Sequence, residues 1–556
     1  PSGVILYGTD SSNPYNLSNP AQALIPYETA LADGINAKLP ENLAGDVSLA
    51  LKVITTDSSP GLPTSVLNAN NAETKNVILK VAQVADAVNA DAANVEKTDG
   101  VEDAAIGSGN TVKLKVEANL TDTDGSEQLS IILKLPSNVA GASFIPSSGS
   151  SVSGSVVTNL SGHVGQRVVS FDVENSQENS GKYEFELVME EHFSGSSNVE
   201  IIARSTDGDD TKDTNVGTHS FTVAPFPDPP IYSDGDIIVI AGSEDGINSL
   251  GTANPGQLNV SMQFPDVTDE VHYIIFQVDS NVQTVSYNGQ TKTPETAAQN
   301  PTELTGISGT AVRFPVTANS DGSFNGVFDF VALSNFSGNV VASVIGRSVI
   351  ADNSFLDSTA VQKTIAINPV ADAPNANSAD VVASNGVEDA VVGSGNTAKI
   401  AVDADLTDTD GSEQLSIILK LPAEVTGASF IPGNGDAAVA GTVATNVSGF
   451  DGQRVVSFNV SSGQENSGKF EFELVMENHF SGNSNVEAVA RSTDGTDIKD
   501  TDVGAHSFTI TPVADAPVLE GGNVTIETGS EDGFDLSGNA DPTRVNLSIQ
   551  YADLSE

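Results

Sequence analysis

The chain has 556 residues, 38% hydrophobic and only 17% charged, with 23 Lys plus Arg against 74 Asp plus Glu, a formal net charge of −51, and neither cysteine nor tryptophan. That balance argues against nucleic acid and anionic membrane surfaces as partners, makes divalent cations the natural counter-charge, and leaves no disulfide or thiolate metal site to brace the fold. The length exceeds what one core supports and predicts about four domains, while no run of about 18 apolar residues offers a membrane-spanning helix.

Internal repetition organises the chain. Asn42-Leu43-Ala44-Gly45-Asp46-Val47 is similar to Asn335-Phe336-Ser337-Gly338-Asn339-Val340, so residues 1–88 read as the later part of a module, here called B. Residues 89–226 form a first module A, and 371–513 repeat it. Gly100-Val101-Glu102-Asp103-Ala104 returns as Gly386-Val387-Glu388-Asp389-Ala390, and the turn from Leu120 to Leu129 returns unchanged from Leu406 to Leu415. Ala203-Arg204-Ser205-Thr206-Asp207-Gly208 returns as Ala490-Arg491-Ser492-Thr493-Asp494-Gly495. Residues 227–370 form a complete B. Its Gly242-Ser243-Glu244-Asp245-Gly246 recurs as Gly529-Ser530-Glu531-Asp532-Gly533, so 514–556 read as the start of a further B. Beginning and ending inside B modules predicts a window of a longer polypeptide.

The local pattern predicts strands. Leu129–Leu135, Val168–Val173, Tyr183–Met189 and Val199–Ala203 are short apolar or alternating runs between Gly, Ser, Asn and Pro clusters. Polar and apolar positions alternate from Lys182 to Met189, as for a strand with one packed and one wet face. Helical periodicity is nearly absent, and the Ala-rich stretch Ala82–Val95 is expected to be extended. The fold class is therefore all-β, tandem antiparallel sandwiches strung into an elongated rod. The linkers Val84–Val88, Phe226–Pro230, Val370–Pro374 and Val513–Pro517 each carry one Asp, most with Pro to stiffen them.

Acidic motifs are the candidate chemistry. In Asp122-Thr123-Asp124-Gly125-Ser126-Glu127, three carboxylates in six residues crowd hard oxygen ligands of the kind Ca²⁺ selects. Two like charges about 4 Å apart cost roughly 4 kcal/mol at an effective dielectric of about 20, so such a cluster calls for a cation or full solvation. The expected Ca²⁺ ligands of the first A module are Asp86, Glu102, Asp103, Asp122, Asp124, Glu127 and Asp207. Those of the second are Asp372, Glu388, Asp389, Asp408, Asp410, Glu413 and Asp494. In each module the four motifs are expected to form one composite site. Module B carries a weaker set: the linker acid Asp228, Glu244 with Asp245, and Asp266, Asp269 and Glu270. The chain end adds Asp515, Glu531 and Asp532. The spacing is not that of an EF-hand, which requires a further acidic position and a bidentate Glu at the twelfth.

The Glu-Asp opening, the Asp-Thr-Asp-Gly-Ser-Glu turn, the Phe-Ser-Gly element and the Val-Ala-Asp-Ala-Pro linker resemble the tandem cadherin-like or Ig-like extender repeats of giant bacterial adhesins secreted by the type I route, the RTX adhesins. The resemblance spans essentially the whole chain. It implies an extracellular, Ca²⁺-rigidified structure that holds a distal binding domain away from the cell. The linkers lack the Asn of cadherin junctions, and the Gly-Gly-x-Gly-x-Asp nonapeptides are not in this sequence.

Enzyme chemistry finds little support. Six histidines fall into no His-x-x-His pair or nucleophile signature; His192 and His479 match in position before Phe-Ser-Gly and are read as structural or surface residues, as are His219 and His506. The expectation is a non-enzymatic surface protein whose partners are calcium ions and adjacent modules of the same chain or neighbouring identical chains. A self-assembling filament or surface layer completed by strand exchange is one alternative. A ligand-binding module using the polar stretch Gln277–Glu303 is another.

Overall fold

The computed structural model describes residues 5–7, 14–15, 30, 35–41, 43, 45–54, 72–122, 125–147, 150–173, 181–232, 234–408, 410–433, 436–461, 468–519 and 524–551. Strands joined by turns and short 3-10 segments build it, and no helix among the described residues is long and apolar enough to cross a membrane. The chain divides into two compact units. The first comprises Pro1–Asp228 with Pro265–Glu270 and Val349–Phe355, the second Pro229–Phe264, Val271–Ser348 and Leu356–Glu556.

In the first unit, two sheets face each other. One runs Val168–Asp172, Gln128–Lys134, Gly195–Asp207, Asp210–Ala224 and Gly100–Val101. The other runs Val152–Ser153, Val139–Ile145, Lys182–Met189 and Val112–Asn119, the last flanked by Asn89–Ala90 and Glu96–Thr98. Every pairing is antiparallel except Gly100–Val101, which lies parallel to the end of the long strand, Gly100 opposite Val223. Inward positions repeat every second residue, as the pleat demands: Leu129, Ile131 and Leu133 from one sheet meet Leu114, Val116, Phe185 and Leu187 from the other, all buried. Phe185 stacks at a tilt against Phe144 and Phe171, with ring centroids 5.4 and 5.2 Å apart. A hairpin, Gly45–Ile54 with Ala72–Val81, precedes this sandwich.

The alternation expected from Lys182 to Met189 holds with one departure. Glu186, on the face expected to be wet, is only 2% exposed; it pairs with Lys113 at 3.0 Å and accepts the Gly107 N–H at 2.8 Å. Burial alone would raise its pKa, but these partners outweigh burial and hold it below the ordinary value.

The second unit holds two sandwiches. In the first, one sheet runs Ile237–Ile240, Gly256–Gln263, Ser323–Ala332, Val282–Tyr287 and Gln290–Lys292; the other runs Gly242–Ser243, Val361–Asn368, Gly338–Val349, Val271–Val278, Thr310–Val316 and Glu295–Thr296. Its core is aromatic, with Phe276, Phe314, Phe328 and Phe330 buried together. The next sandwich, built from residues 375–511, repeats the first unit's register: Ile417 faces Ala490 as Ile131 faces Ala203. The long hairpin Gly482–Asp494 with Asp497–Thr511 likewise repeats Gly195–Asp207 with Asp210–Ala224.

That hairpin sets where the acids go. Asp207 and Asp494 stand at its tip, whereas Glu102 and Glu388 follow the short strands paired with its far end. At about 3.3 Å per residue a strand of this length spans roughly 45 Å, so the two motifs of one sandwich lie at opposite ends.

Phe185→Ala is expected to lower the stability of the sandwich formed by residues 89–224 by about 3–5 kcal/mol, because three rings lose a shared contact and leave a void. Denaturant unfolding followed by hydrogen exchange checks this: amides of Val112–Asn119 and Gln128–Lys134 should lose protection, those of Gly256–Gln263 should not.

Candidate functional site

Four linkers draw on one set of backbone contacts, and those at 226–230 and 370–374 show the whole set. The Glu of each Glu-Asp pair accepts a linker N–H through Oε2: Glu102 from Phe226 at 3.0 Å, Glu244 from Val370 at 3.2 Å and Glu388 from Val513 at 2.9 Å. In all three the other oxygen, Oε1, is buried without a hydrogen-bond partner, and each side chain is 3% exposed. The Asp of the pair is left-handed, with φ of 53° at Asp103, 53° at Asp245 and 56° at Asp389, a conformation Asp tolerates better than most residues. Its Oδ1 accepts the N–H of His192 at 3.1 Å, Asn335 at 3.1 Å and His479 at 2.9 Å. These acceptors' partners are themselves left-handed, at φ 58°, 59° and 61°.

The linker Asp supplies the third contact. Its N–H donates to the Glu closing the acidic turn: Asp86 to Glu127 and Asp372 to Glu413, each at 2.5 Å, and Asp228 to Glu270. The residue before it donates to an acid beyond the hairpin tip, Ala85 to Asp210 at 2.9 Å and Ala371 to Asp497 at 3.1 Å. Asp210 and Asp497 were not among the expected site residues; their repeated place two residues after the Asp-Gly tip was the available signal.

In the second unit these contacts gather acids from two sandwiches. Glu244, Asp408 and Asp410 bring carboxylate oxygens within 4.8 Å of one another. Asp372, Glu413 and Asp494 adjoin them. Asp408 raises the pKa of all three, in each case after burial, the larger cause. Burial first, then Asp408, Asp410 and Asp494, push Glu244 up to about 8. Ser492 donates to Glu413 at 2.7 Å and Ser412 to Asp494 at 3.1 Å, which satisfies one oxygen of each. Ser337 and Asn335 reach the same turn, the N–H of Ser337 lying 3.3 Å from Asp410 and the Asn335 amide 3.4 Å from the Thr407 carbonyl.

The first unit contains a matching set. Glu102, Asp266 and Asp269 converge within 4.8 Å, and Ser194 hydrogen-bonds Asp269. Burial first, then Asp269, Asp266 and Asp103, push Glu102 up to about 7. Asp266 is 2% exposed, with Oδ1 accepting from Thr268 and Oδ2 buried and unpartnered. The shorter Asp266-Val-Thr-Asp-Glu270 turn thus places its acids as the longer turn does. Around Asp86, Glu127 and Asp207 are each 2% exposed, and Glu127 Oε2 and Asp207 Oδ1 lack hydrogen-bond partners. Burial, then Asp122, Asp86 and Asp207, raise the Glu127 pKa.

The expected grouping is corrected in one respect. Glu102 and Asp103 do not join Asp86, Asp122, Glu127 and Asp207, although all belong to one module; they join Asp228, Asp266, Asp269 and Glu270. Glu388 and Asp389 likewise sit with Asp515 rather than with Asp372, Asp408, Asp410, Glu413 and Asp494. The hairpin length is the reason, since it separates the ends of each sandwich. Asp124 lies outside the described residues. Glu531 and Asp532 repeat the left-handed Asp, φ 65°, but both are exposed and gather no further acids among the described residues. The polar stretch Gln277–Glu303 bonds largely within its own sandwich, Lys292 to the Arg313 carbonyl at 2.6 Å and Gln277 to the Ser308 carbonyl.

His192 and His479, read from sequence as structural or surface residues, stand inside the acidic clusters. His192 Nδ1 is 2.7 Å from Asp228 and 3.3 Å from Asp103; His479 Nδ1 is 2.8 Å from Asp515 and 3.2 Å from Asp389.

No protein-family model matches the sequence, and no curated protein matches it. Among solved structures the chain is similar to a biofilm-associated protein BSP domain, at 9% identity and TM-score 0.17 over 85% of this chain and 92% of that one. It is also similar to extracellular cadherin domains 3–6 of protocadherin gamma B2, at 13% identity and TM-score 0.31 over 87% and 88%. Chicken CNTN1 FN1–FN3 domains align at 10% identity and TM-score 0.20 over 77% and 99%. These likenesses concern the β-sandwich fold class alone.

In chelator, stability should fall as pH rises. The folded state holds the Glu244 proton up to about 8 and the Glu102 proton up to about 7, against 4.5 for the free side chain, so the folded chain binds more protons through that window. The stability these two acids contribute is present below 4.5 and lost as pH climbs through their folded values. Melting curves between about pH 5 and pH 8 in chelator check the sign, and Glu102→Gln with Glu244→Gln should flatten the decline.

Proposed function

We propose that this chain is a non-enzymatic structural segment of an extracellular bacterial surface adhesin, in which Ca²⁺ fixes each β-sandwich to the linker and sandwich that follow. The observation that carries the reading is the buried, unpartnered Oε1 of Glu102, Glu244 and Glu388, the first two beside further carboxylates. Burying an ionised carboxylate without compensation is costly, and a protein otherwise protonates it or pairs it with a cation. Among the described residues no Lys or Arg ion pair reaches these oxygens.

The donor set fits Ca²⁺. At the Asp372 linker it consists of Glu244, Asp372, Asp408, Asp410, Glu413 and Asp494, all oxygen donors and more than Mg²⁺ ordinarily takes from protein. Bound Ca²⁺ would supply the positive charge that lets these acids ionise together. The chain's own residues do the positioning: the linker N–H groups orient Glu244 and Glu413, and the serines orient Glu413 and Asp494. A linker held through its backbone on both sides transmits orientation from one sandwich to the next, the property a spacer segment needs. The sequence resemblance to adhesin extender repeats supports the extracellular bacterial setting.

Saturating Ca²⁺ is expected to raise the melting temperature, a ligand at one hundred times its Kd adding about 2.7 kcal/mol per site. Chelator should also expose the 370–374 linker to limited proteolysis. Glu244→Gln should reverse sign between conditions, melting higher than the wild type in chelator and gaining less from Ca²⁺. Identical melting curves with Ca²⁺ and with chelator would rule the reading out.

A further inference from the structure

We propose that Asp103, His192 and Asp228, and again Asp389, His479 and Asp515, form a second class of metal site in this chain, suited to a borderline first-row divalent ion such as Zn²⁺ rather than Ca²⁺. The inference rests on the proposed reading only in that both place cations beside the linkers; the ion and the ligand chemistry differ.

Each trio brings one imidazole nitrogen and two carboxylate oxygens within 4.8 Å of one another. The two copies agree closely, with Nδ1 to linker Asp distances of 2.7 and 2.8 Å and Nδ1 to pair Asp distances of 3.3 and 3.2 Å. Imidazole is a poor ligand for Ca²⁺ and a good one for Zn²⁺, which is commonly held by three protein ligands of His and carboxylate type with water completing the site. The side chains are accessible enough for that water, His192 being 32% and His479 38% exposed.

The third linker shows that the fold itself does not call for histidine. Asn335 occupies the same position with the same left-handed backbone, and its N–H reaches Asp245 at the same 3.1 Å as that of His192 reaches Asp103. Its side chain turns instead to the Thr407 carbonyl. Asparagine thus meets the backbone requirement, and histidine at the other two linkers adds a nitrogen donor between two aspartates. A further buried group near the first trio is short of a partner: Asp266 is 2% exposed with Oδ2 unpartnered. Beside the second trio, Glu388 Oε1 is buried and unpartnered as well.

The rival arrangement is a protonated imidazole ion-paired with two aspartates. Zn²⁺ titration of the full 556-residue chain in saturating Ca²⁺, by calorimetry and equilibrium dialysis, separates the two. The expected result is two equivalents of Zn²⁺ per chain. His192→Asn and His479→Asn should each remove one and the double variant both, with the melting temperature in Ca²⁺ unchanged because Asn335 already serves this position. Co²⁺ should give a visible ligand-field spectrum that the double variant lacks. No Zn²⁺ uptake by the Ca²⁺-saturated chain, or uptake the double variant retains, would overturn the proposal. Two equivalents lost in the double variant from a chain that takes up no Ca²⁺ would uphold these sites and sink the calcium reading instead.

Discussion

Buried carboxylates that spend one oxygen on a linker N–H and keep the other dry are the constraint on which this structure turns. Glu102, Glu244 and Glu388 could each have faced water, as Glu531 does in the described part of the chain's last repeat. Instead the linker closes over them, and the free energy of that closure depends on what neutralises the remaining oxygen. Burial first, then the neighbouring aspartates, push Glu102 up to about 7 and Glu244 up to about 8, so without a cation these two acids hold protons near neutral pH. Linker order, sandwich orientation and charge state are therefore one coupled problem.

The β-sandwich is well suited to presenting that problem at its ends. A 15-residue strand in each A-type sandwich carries an acid near its start, and its far end pairs with the strand leading to the Glu-Asp motif. Each sandwich therefore offers one half of a cluster at either end. The half carrying the Glu-Asp pair also carries the left-handed Asp and its His or Asn partner. The half carrying the acidic turn also carries the hairpin tip and two serines. A chain of such units completes a cluster wherever two complementary halves share a linker, as they do around Asp372 within the second unit.

Much of this was legible in the residues. The repeats predict one fold for 89–226 and 371–513, and the registers of Ile131 and Ile417 match in nearly identical strands. Alternation identified the strands, and carboxylate density identified the acids. What the sequence did not reveal was which acids meet, because one module's motifs are neighbours in sequence yet sit at opposite ends of a long strand. It also concealed the role of His192 and His479. A left-handed position accepts His, Asn or Asp for backbone reasons, so their type alone carries no sign of the aspartates on either side. Glu186 was misplaced on a wet face because its two partners, Lys113 and the Gly107 N–H, come from a neighbouring strand and loop.

The most direct test of the account is a crystal structure of this chain grown in Ca²⁺, with anomalous difference density measured at a long wavelength. The account predicts peaks between Glu244, Asp408 and Asp410 and between Glu102, Asp266 and Asp269, each ringed by six or more oxygens at about 2.3–2.6 Å. Clear density for those side chains with no peak among them, their oxygens bonded only to one another and to water, would contradict it.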